Sequence, residues 1–212
     1  VDQWSRHLTL PFDVYHASAN EFPTDISIYT HIISTGSAVS VSAEVEWMKT
    51  QAALLREAAS LGKVILGSCF GHQLLAAALF GSDKVREAKF PELGWYRIQA
   101  SKTDCIFSGL ENSFHCFCCH FDEVHNLPAD KVEIFAFSEN CAVQAYKIKN
   151  KPIWGVQAHP EMNIEESFIL LNQVANTEGP RQANFKAALD STPQDSEIIA
   201  KLMKNFQRAK PL

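Results

Sequence analysis

Between Lys63 and Gly81 the chain reads KVILGSCFGHQLLAAALFG, a stretch that leaves little choice of local fold. Val64, Ile65 and Leu66 form an apolar run too short for a helix, and an alanine- and leucine-rich stretch with helical spacing follows Gly71 directly. The reading is strand, sharp turn, helix. Glycines two places before and two places after Cys69 remove side chains where strand and helix must pass close together, so the residue between them can take a strained backbone conformation. At the mouth of a helix a thiolate on Cys69 meets unpaired N–H groups and the positive end of the dipole, which makes it a candidate nucleophile. The same residues also fit a buried cysteine beside a glycine-rich turn, because cysteine is a common small core residue.

Around this stretch the pattern is βαβ. Phe12 to His16 reads as a short strand, and Ile26 to Ser34 contains a second that ends at Thr35-Gly36. From about Ser42 to Leu61, Trp47, Leu54, Leu55, Ala58 and Leu61 fall on one helical face, and Gly62 is the natural stop. Such an order implies parallel strands with a site at their carboxyl ends. From Trp95 to Lys149 the apolar stretches are short and separated by turn residues, which predicts antiparallel strands added to the parallel sheet. Residues 152–157 give one more strand, delivering the chain to His159-Pro160-Glu161. Helices follow at Ile164 to Ala175 and Gln182 to Leu189. Thr192-Pro193-Gln194-Asp195 has the residues of a capped start for a last helix running to about Arg208. The expected fold class is α/β: a flavodoxin-like, mostly parallel sheet flanked by helices, with a small antiparallel β layer. One domain over residues 1–212 is expected, with a helical C-terminal extension from about 163 to 209.

Charge and cysteine usage narrow the partners. A formal net charge of -5 without a long basic run argues against nucleic acid, and no apolar stretch approaches the roughly 18 residues that span a membrane. Six cysteines in 212 residues do not resemble a small secreted disulfide scaffold, so a reduced, cytoplasmic setting is expected. His115-Cys116-Phe117-Cys118-Cys119-His120 suggests a metal site. Strand alternation would send Cys116 and Cys118 to one face and Cys119 to the other, so this cluster is expected to hold no metal.

A cysteine nucleophile needs a base, and the base needs an orienting acceptor. His159 and Glu161 have the right chemistry and follow a predicted strand. Gly67-Ser68-Cys69-Phe70-Gly71-His72-Gln73 together with His159-Pro160-Glu161 resembles the class I glutamine amidotransferases, whose signature is a G-x-C-x-G-x-Q elbow followed downstream by H-P-E. Within that family the chain is most similar to free-standing, GMP-synthetase-like domains, the gamma-glutamyl peptidase group included. Gly94-Trp95, the His120 to Val124 stretch, Leu127-Pro128 and residues 154–157 support the resemblance, which runs from about Phe12 to about Glu166. It implies Cys69 as nucleophile, His159 as base and Glu161 as its orienter. It also implies an oxyanion hole from the Phe70 and Gly36 N–H groups, and substrate contacts from Gln73, His120 and Asp122, the last meeting the substrate ammonium. Asp122 also fits a solvated loop acid, and His120 a packed histidine.

The implied ligand is glutamine or another γ-glutamyl small molecule, with no cofactor. A separate synthase subunit is the partner implied in one alternative. The chain departs from the family at Ser34-Thr35-Gly36-Ser37, where the usual oxyanion loop reads S-G-G-P. Fewer than a dozen residues precede Phe12, where the family places a first strand and helix, so either the numbered chain lacks its start or the sheet is one strand short. Two other readings accompany the hydrolase: the glutaminase subunit of a two-chain synthetase, and a non-catalytic binding protein that keeps the fold.

Overall fold

The computed structural model describes residues 2–100, 105–176 and 182–212. Its elements are α1 (Asp2–Ser5), β1 (His31–Ser34), α2 (Glu46–Ser60), β2 (Val64–Ser68), α3 (Phe70–Phe80), β3 (Val85–Ala100), β4 (Ser113–Val124), β5 (Val132–Phe137), β6 (Ala145–Ile148), β7 (Ile153–Val156), α4 (Ile164–Ala175), α5 (Gln182–Leu189) and α6 (Ile199–Arg208). One seven-stranded sheet runs β1-β2-β7-β6-β5-β3-β4. β1, β2 and β7 are mutually parallel, and from β6 onward every pairing is antiparallel. The fold is the expected α/β class, with the antiparallel strands continuing the same sheet.

Alternation along β2 builds both cores. Val64 and Leu66 face a cluster with Trp154, Leu202, Met203 and Phe206, where α6 lies. Ile65 faces the opposite cluster with Leu55, Leu74, Leu75 and Ile153, where α2 and α3 lie. Cys116 and Cys118 enter the first of these, while Cys119 packs beside the α4 and α5 cluster, as strand alternation requires. α4 spans the expected Ile164–Ala175, and a capping box starts it: Asn163 Oδ1 accepts from the Glu166 N–H at 2.9 Å, and Glu166 reaches back to the Asn163 N–H. No helix among the described residues is long and apolar enough to cross a membrane.

Several local expectations are corrected. Residues 12–16 form no strand. Phe12, Val14 and Tyr15 stay exposed, and the segment is tied to Tyr29, whose hydroxyl donates to Asp13 at 2.6 Å, rather than to a ladder. The expected strand within Ile26 to Ser34 is present as β1 from His31, while Asp25 caps the Ser27 N–H at 2.8 Å and winds Ile26–Ile28 into a 3-10 turn. Helix α2 starts at Glu46 instead of near Ser42, after a 3-10 turn ended by Glu44 at φ 48°. Its buried face is Met48, Ala52, Leu55, Ala58 and Ala59, and Leu61 is exposed. Thr192 caps nothing: Ser196 exchanges two hydrogen bonds with the His115 backbone, which holds this segment beside β4 until α6 begins at Ile199.

His72, fully buried on α3, stacks on Tyr146 at 4.8 Å. Burial pushes its pKa down to about 3. The unfolded chain protonates His72 near pH 6.5 and the folded chain does not, so its contribution is complete above about 6.5 and is lost as pH falls toward 3. Urea unfolding of wild type and His72→Leu at pH 7 and pH 4 is expected to show the variant losing less stability on acidification. The difference should be on the order of 2–4 kcal/mol.

Candidate active site

Three adjacent parallel strands release their carboxyl ends at one edge, and each supplies one part of the site. After β1 come Thr35 and Gly36, after β2 comes Cys69, and three residues beyond the end of β7 comes His159. Register aligns them: Ser34 pairs with Gly67, and Ser68 pairs with Val156. Cys69 is the N-cap of α3, with φ 50° and ψ -107°, a conformation costing a non-glycine residue about 1–3 kcal/mol. Its N–H bonds to Val156 O at 2.9 Å, and its carbonyl accepts from Gln73 N at 3.1 Å. The flanking glycines are required by contact. A Cβ on Gly71 would stand 1.9 Å from Ser34 O, and one on Gly67 would stand 2.5 Å from Gly71 O.

His159 and Cys69 both lie against Gly36, close enough for the cysteine to act on the imidazole, and His159 Nδ1 lies 2.9 Å from Glu161 Oε1. Burial alone would lower the His159 pKa. The neighbouring Cys69 and then Glu161 outweigh it and hold the ring well above the ordinary histidine value. An imidazolium facing Sγ stabilises negative charge on sulfur. The Glu161 side chain is only 7% exposed; its Oε1 meets the imidazole, and its Oε2 has no hydrogen-bond partner among the described residues. Both Cys69 and His159 are nearly buried, at 5% and 9% exposure. Cys69 Sγ also lies 3.8 Å from the Cys119 carbonyl, and burial pushes the Cys119 thiol up to about 11.

Gly36 lies against this pair: a Cβ there would be 3.0 Å from His159 Cε1 and 3.8 Å from Cys69 Cβ. Thr35 O accepts the Gly71 N–H at 3.2 Å, which docks the loop on the first turn of α3 next to Phe70. The altered loop therefore still brings Gly36 to the cysteine. Inside it, Ser37 and Ser40 hydroxyls accept backbone N–H groups of Val39 and Ser42.

The remaining predicted residues gather one helical turn away. Gln73 Nε2 donates to Asp122 O at 2.9 Å and to Gln157 Oε1 at 3.2 Å. Asp122 is half-buried, and its Oδ2 accepts from Ser40 Oγ at 2.5 Å. His120 is buried, with Nδ1 3.0 Å from Asp122 O and Nε2 3.1 Å from Glu92 Oε2, so both ring nitrogens are taken by the protein. Glu92, wholly buried, also accepts from Ser138 and Gln144, each at 2.5 Å. Ligand atoms of Glu92, Cys118 and His120 lie within 4.8 Å of one another, but the carboxylate is already filled by these three hydrogen-bond partners. The sequence carried no local signal for Glu92 or Ser40. Glu92 reaches His120 only because β3 slips register between Glu87 and Glu92, around Pro91.

A cavity of about 510 Å³ is walled in part by Phe12, Tyr15, Tyr29 and Leu54. It meets the site only at Ser34 and Thr35.

A family model for glutamine amidotransferase class-I matches residues 3–174. The chain is 41% identical over 102 residues to a glutamine-hydrolysing GMP synthase subunit of Methanococcus vannielii, a match that covers 48% of this chain and 52% of that protein. The chain thus spans about half the length of that relative. To gamma-glutamyl peptidase 4 of Arabidopsis thaliana it is 29% identical over 211 residues, covering 94% of this chain and 82% of the relative. Among solved structures, a glutamine amido transferase from Methylobacillus flagellatus superposes with a TM-score of 0.72 at 22% identity, over 98% of this chain and 89% of the other.

Proposed function

Because the chain belongs to the class-I glutamine amidotransferase family, a family of glutamine-hydrolysing enzymes, we propose that it hydrolyses a γ-glutamyl amide bond through a thioester on Cys69. The observation that supports this reading is the convergence of Cys69 and His159 on Gly36, with Glu161 2.9 Å behind the imidazole, where three parallel strands end. Cys69 Sγ attacks the γ-carbonyl carbon, and the oxyanion is met by the Phe70 and Gly36 N–H groups. His159 receives the thiol proton and passes it to the nitrogen of the leaving amine as the C–N bond breaks. Water then gives a proton to His159 and attacks the thioester, releasing glutamate and the thiol. Glu161 holds the imidazole through Nδ1 and steadies its charge. Asp122 is the anchor for the substrate ammonium, with Gln73 and His120 fixing its main chain. In this reading residues 1–212 act as one unit, and α6, whose Leu202 and Phe206 lie in the sheet's own core, belongs to it.

The amine that leaves distinguishes two versions. The relative matched over 94% of this chain is named a gamma-glutamyl peptidase, which favours a γ-glutamyl peptide as substrate. The relative matched at 41% identity is named a GMP synthase subunit, which favours glutamine, with ammonia passed to a synthetase partner. Incubation with glutamine and with γ-glutamyl dipeptides, comparing ammonia with amino-acid release, is expected to show faster turnover of the dipeptides. Faster glutamine turnover that rises further with an added synthetase subunit would support the second version. Turnover of neither, in reducing buffer, would leave the non-catalytic reading.

A further inference from the structure

Asp122 is held from two sides by groups outside the Cys69, His159 and Glu161 set. Its main-chain oxygen takes hydrogen bonds from Gln73 and His120, and the His120 ring is fixed in turn by the buried Glu92. Its carboxylate is held by a single side chain, Ser40, whose hydroxyl donates to Oδ2 at 2.5 Å. Ser40 cannot rotate freely, because its Oγ also accepts the Ser42 N–H at 3.1 Å and starts the 3-10 turn at Val41–Ala43. Oδ1 of Asp122 has no hydrogen-bond partner among the described residues. A half-buried carboxylate with one oxygen fixed and the other free is suited to receive an ammonium group.

Ser40 stands four residues after Gly36 on the same loop, and the Gly36 end of that loop is docked on α3 through Thr35 and Gly71. One short segment therefore touches both ends of the region where a γ-glutamyl group would lie: the sulfur and oxyanion end at Gly36, and the ammonium end at Asp122. Resting on the hydrolase reading above, we propose that Ser40 is a positioning residue that fixes the span between oxyanion hole and ammonium anchor, and so restricts turnover to γ-glutamyl compounds with a free α-ammonium. The hydroxyl does this by orienting the Asp122 carboxylate. Removing it leaves the negative charge in place but lets it turn away.

The test compares wild type, Ser40→Ala and Ser40→Thr on a γ-glutamyl dipeptide and on its N-acetylated analogue, which lacks the ammonium. Ser40→Ala is expected to raise KM for the free dipeptide about tenfold, as for loss of one hydrogen bond to a charged group, with kcat changed by less than about twofold. Preference for the free over the acetylated substrate should fall by the same factor, and iodoacetamide alkylation of Cys69 should keep its wild-type rate. Ser40→Thr, which retains the hydroxyl, should restore KM. The proposal is overturned if Ser40→Ala leaves KM and the preference unchanged, if it lowers kcat for both substrates alike, or if alkylation of Cys69 slows with it, since the last two mark a collapsed loop. A wild-type protein that turns over neither of these substrates nor glutamine refutes the hydrolase reading itself, and the role of Ser40 with it. An active wild type beside an unaffected Ser40→Ala refutes only the positioning role.

Discussion

Cys69→Ala and Cys69→Gly are both expected to lose turnover by on the order of 10⁴-fold or more, the usual cost of removing a covalent nucleophile. Their stabilities should differ in an unusual direction. Glycine ordinarily destabilises a regular element by about 0.5–1 kcal/mol relative to alanine. At this site the backbone is held at φ 50° and ψ -107° by the Cys69 N–H bond to Val156 and the Gln73 bond to its carbonyl, so any Cβ is strained. Cys69→Gly is therefore expected to be the more stable of the two by about 1–3 kcal/mol in urea unfolding. Backbone strain held at Cys69 is what the proposed nucleophile's turn would require.

Gly71→Ala is expected to cost about 3 kcal/mol or more and to remove activity together with stability. The added methyl would meet Ser34 O at 1.9 Å and Ser34 Oγ at 2.6 Å, and the first of these is backbone, which cannot step aside by changing rotamer. The end of β1 must move away from α3, breaking the Gly71 N–H bond to Thr35 O that docks the loop. Gly36 then leaves its contact with His159. Chemical unfolding and a turnover assay on the same preparation check both effects. An active Gly71→Ala protein with wild-type stability would show that α3 and β1 tolerate separation and that the loop contact is dispensable.

What was legible in the sequence was local. The strand, turn and helix around Cys69 are dictated by glycine spacing within a few residues, and the helical spacing of Ile164 to Ala175 places α4. Cys69, His159 and Glu161 could be chosen from residue chemistry and place in the chain, and the parallel order of β1, β2 and β7 accounts for their meeting. Other features depend on partners distant in sequence. Residues 12–16 alternate like a strand, yet a strand exists only where a neighbour offers a ladder, and here side-chain bonds around Tyr29 hold the segment instead. Thr192 to Asp195 carry the residues of a helix start, but hydrogen bonds to His115, far back in the chain, delay α6 to Ile199. Glu92 and its partners Ser138 and Gln144 became visible only with the register slip in β3. Ser40 reads as one more small residue in a loop until its contact with Asp122, 82 positions away, is seen.

The proposed chemistry makes Cys69 a nucleophile aimed at a γ-glutamyl carbonyl. Its most direct test is inactivation by a glutamine analogue carrying a diazoketone in place of the side-chain amide, followed by peptide mapping of the label. One label per chain is expected, on Cys69, formed more slowly in Asp122→Ala and suppressed by excess γ-glutamyl substrate. No label at Cys69, or labelling of the exposed Cys105 at an equal rate, would contradict it.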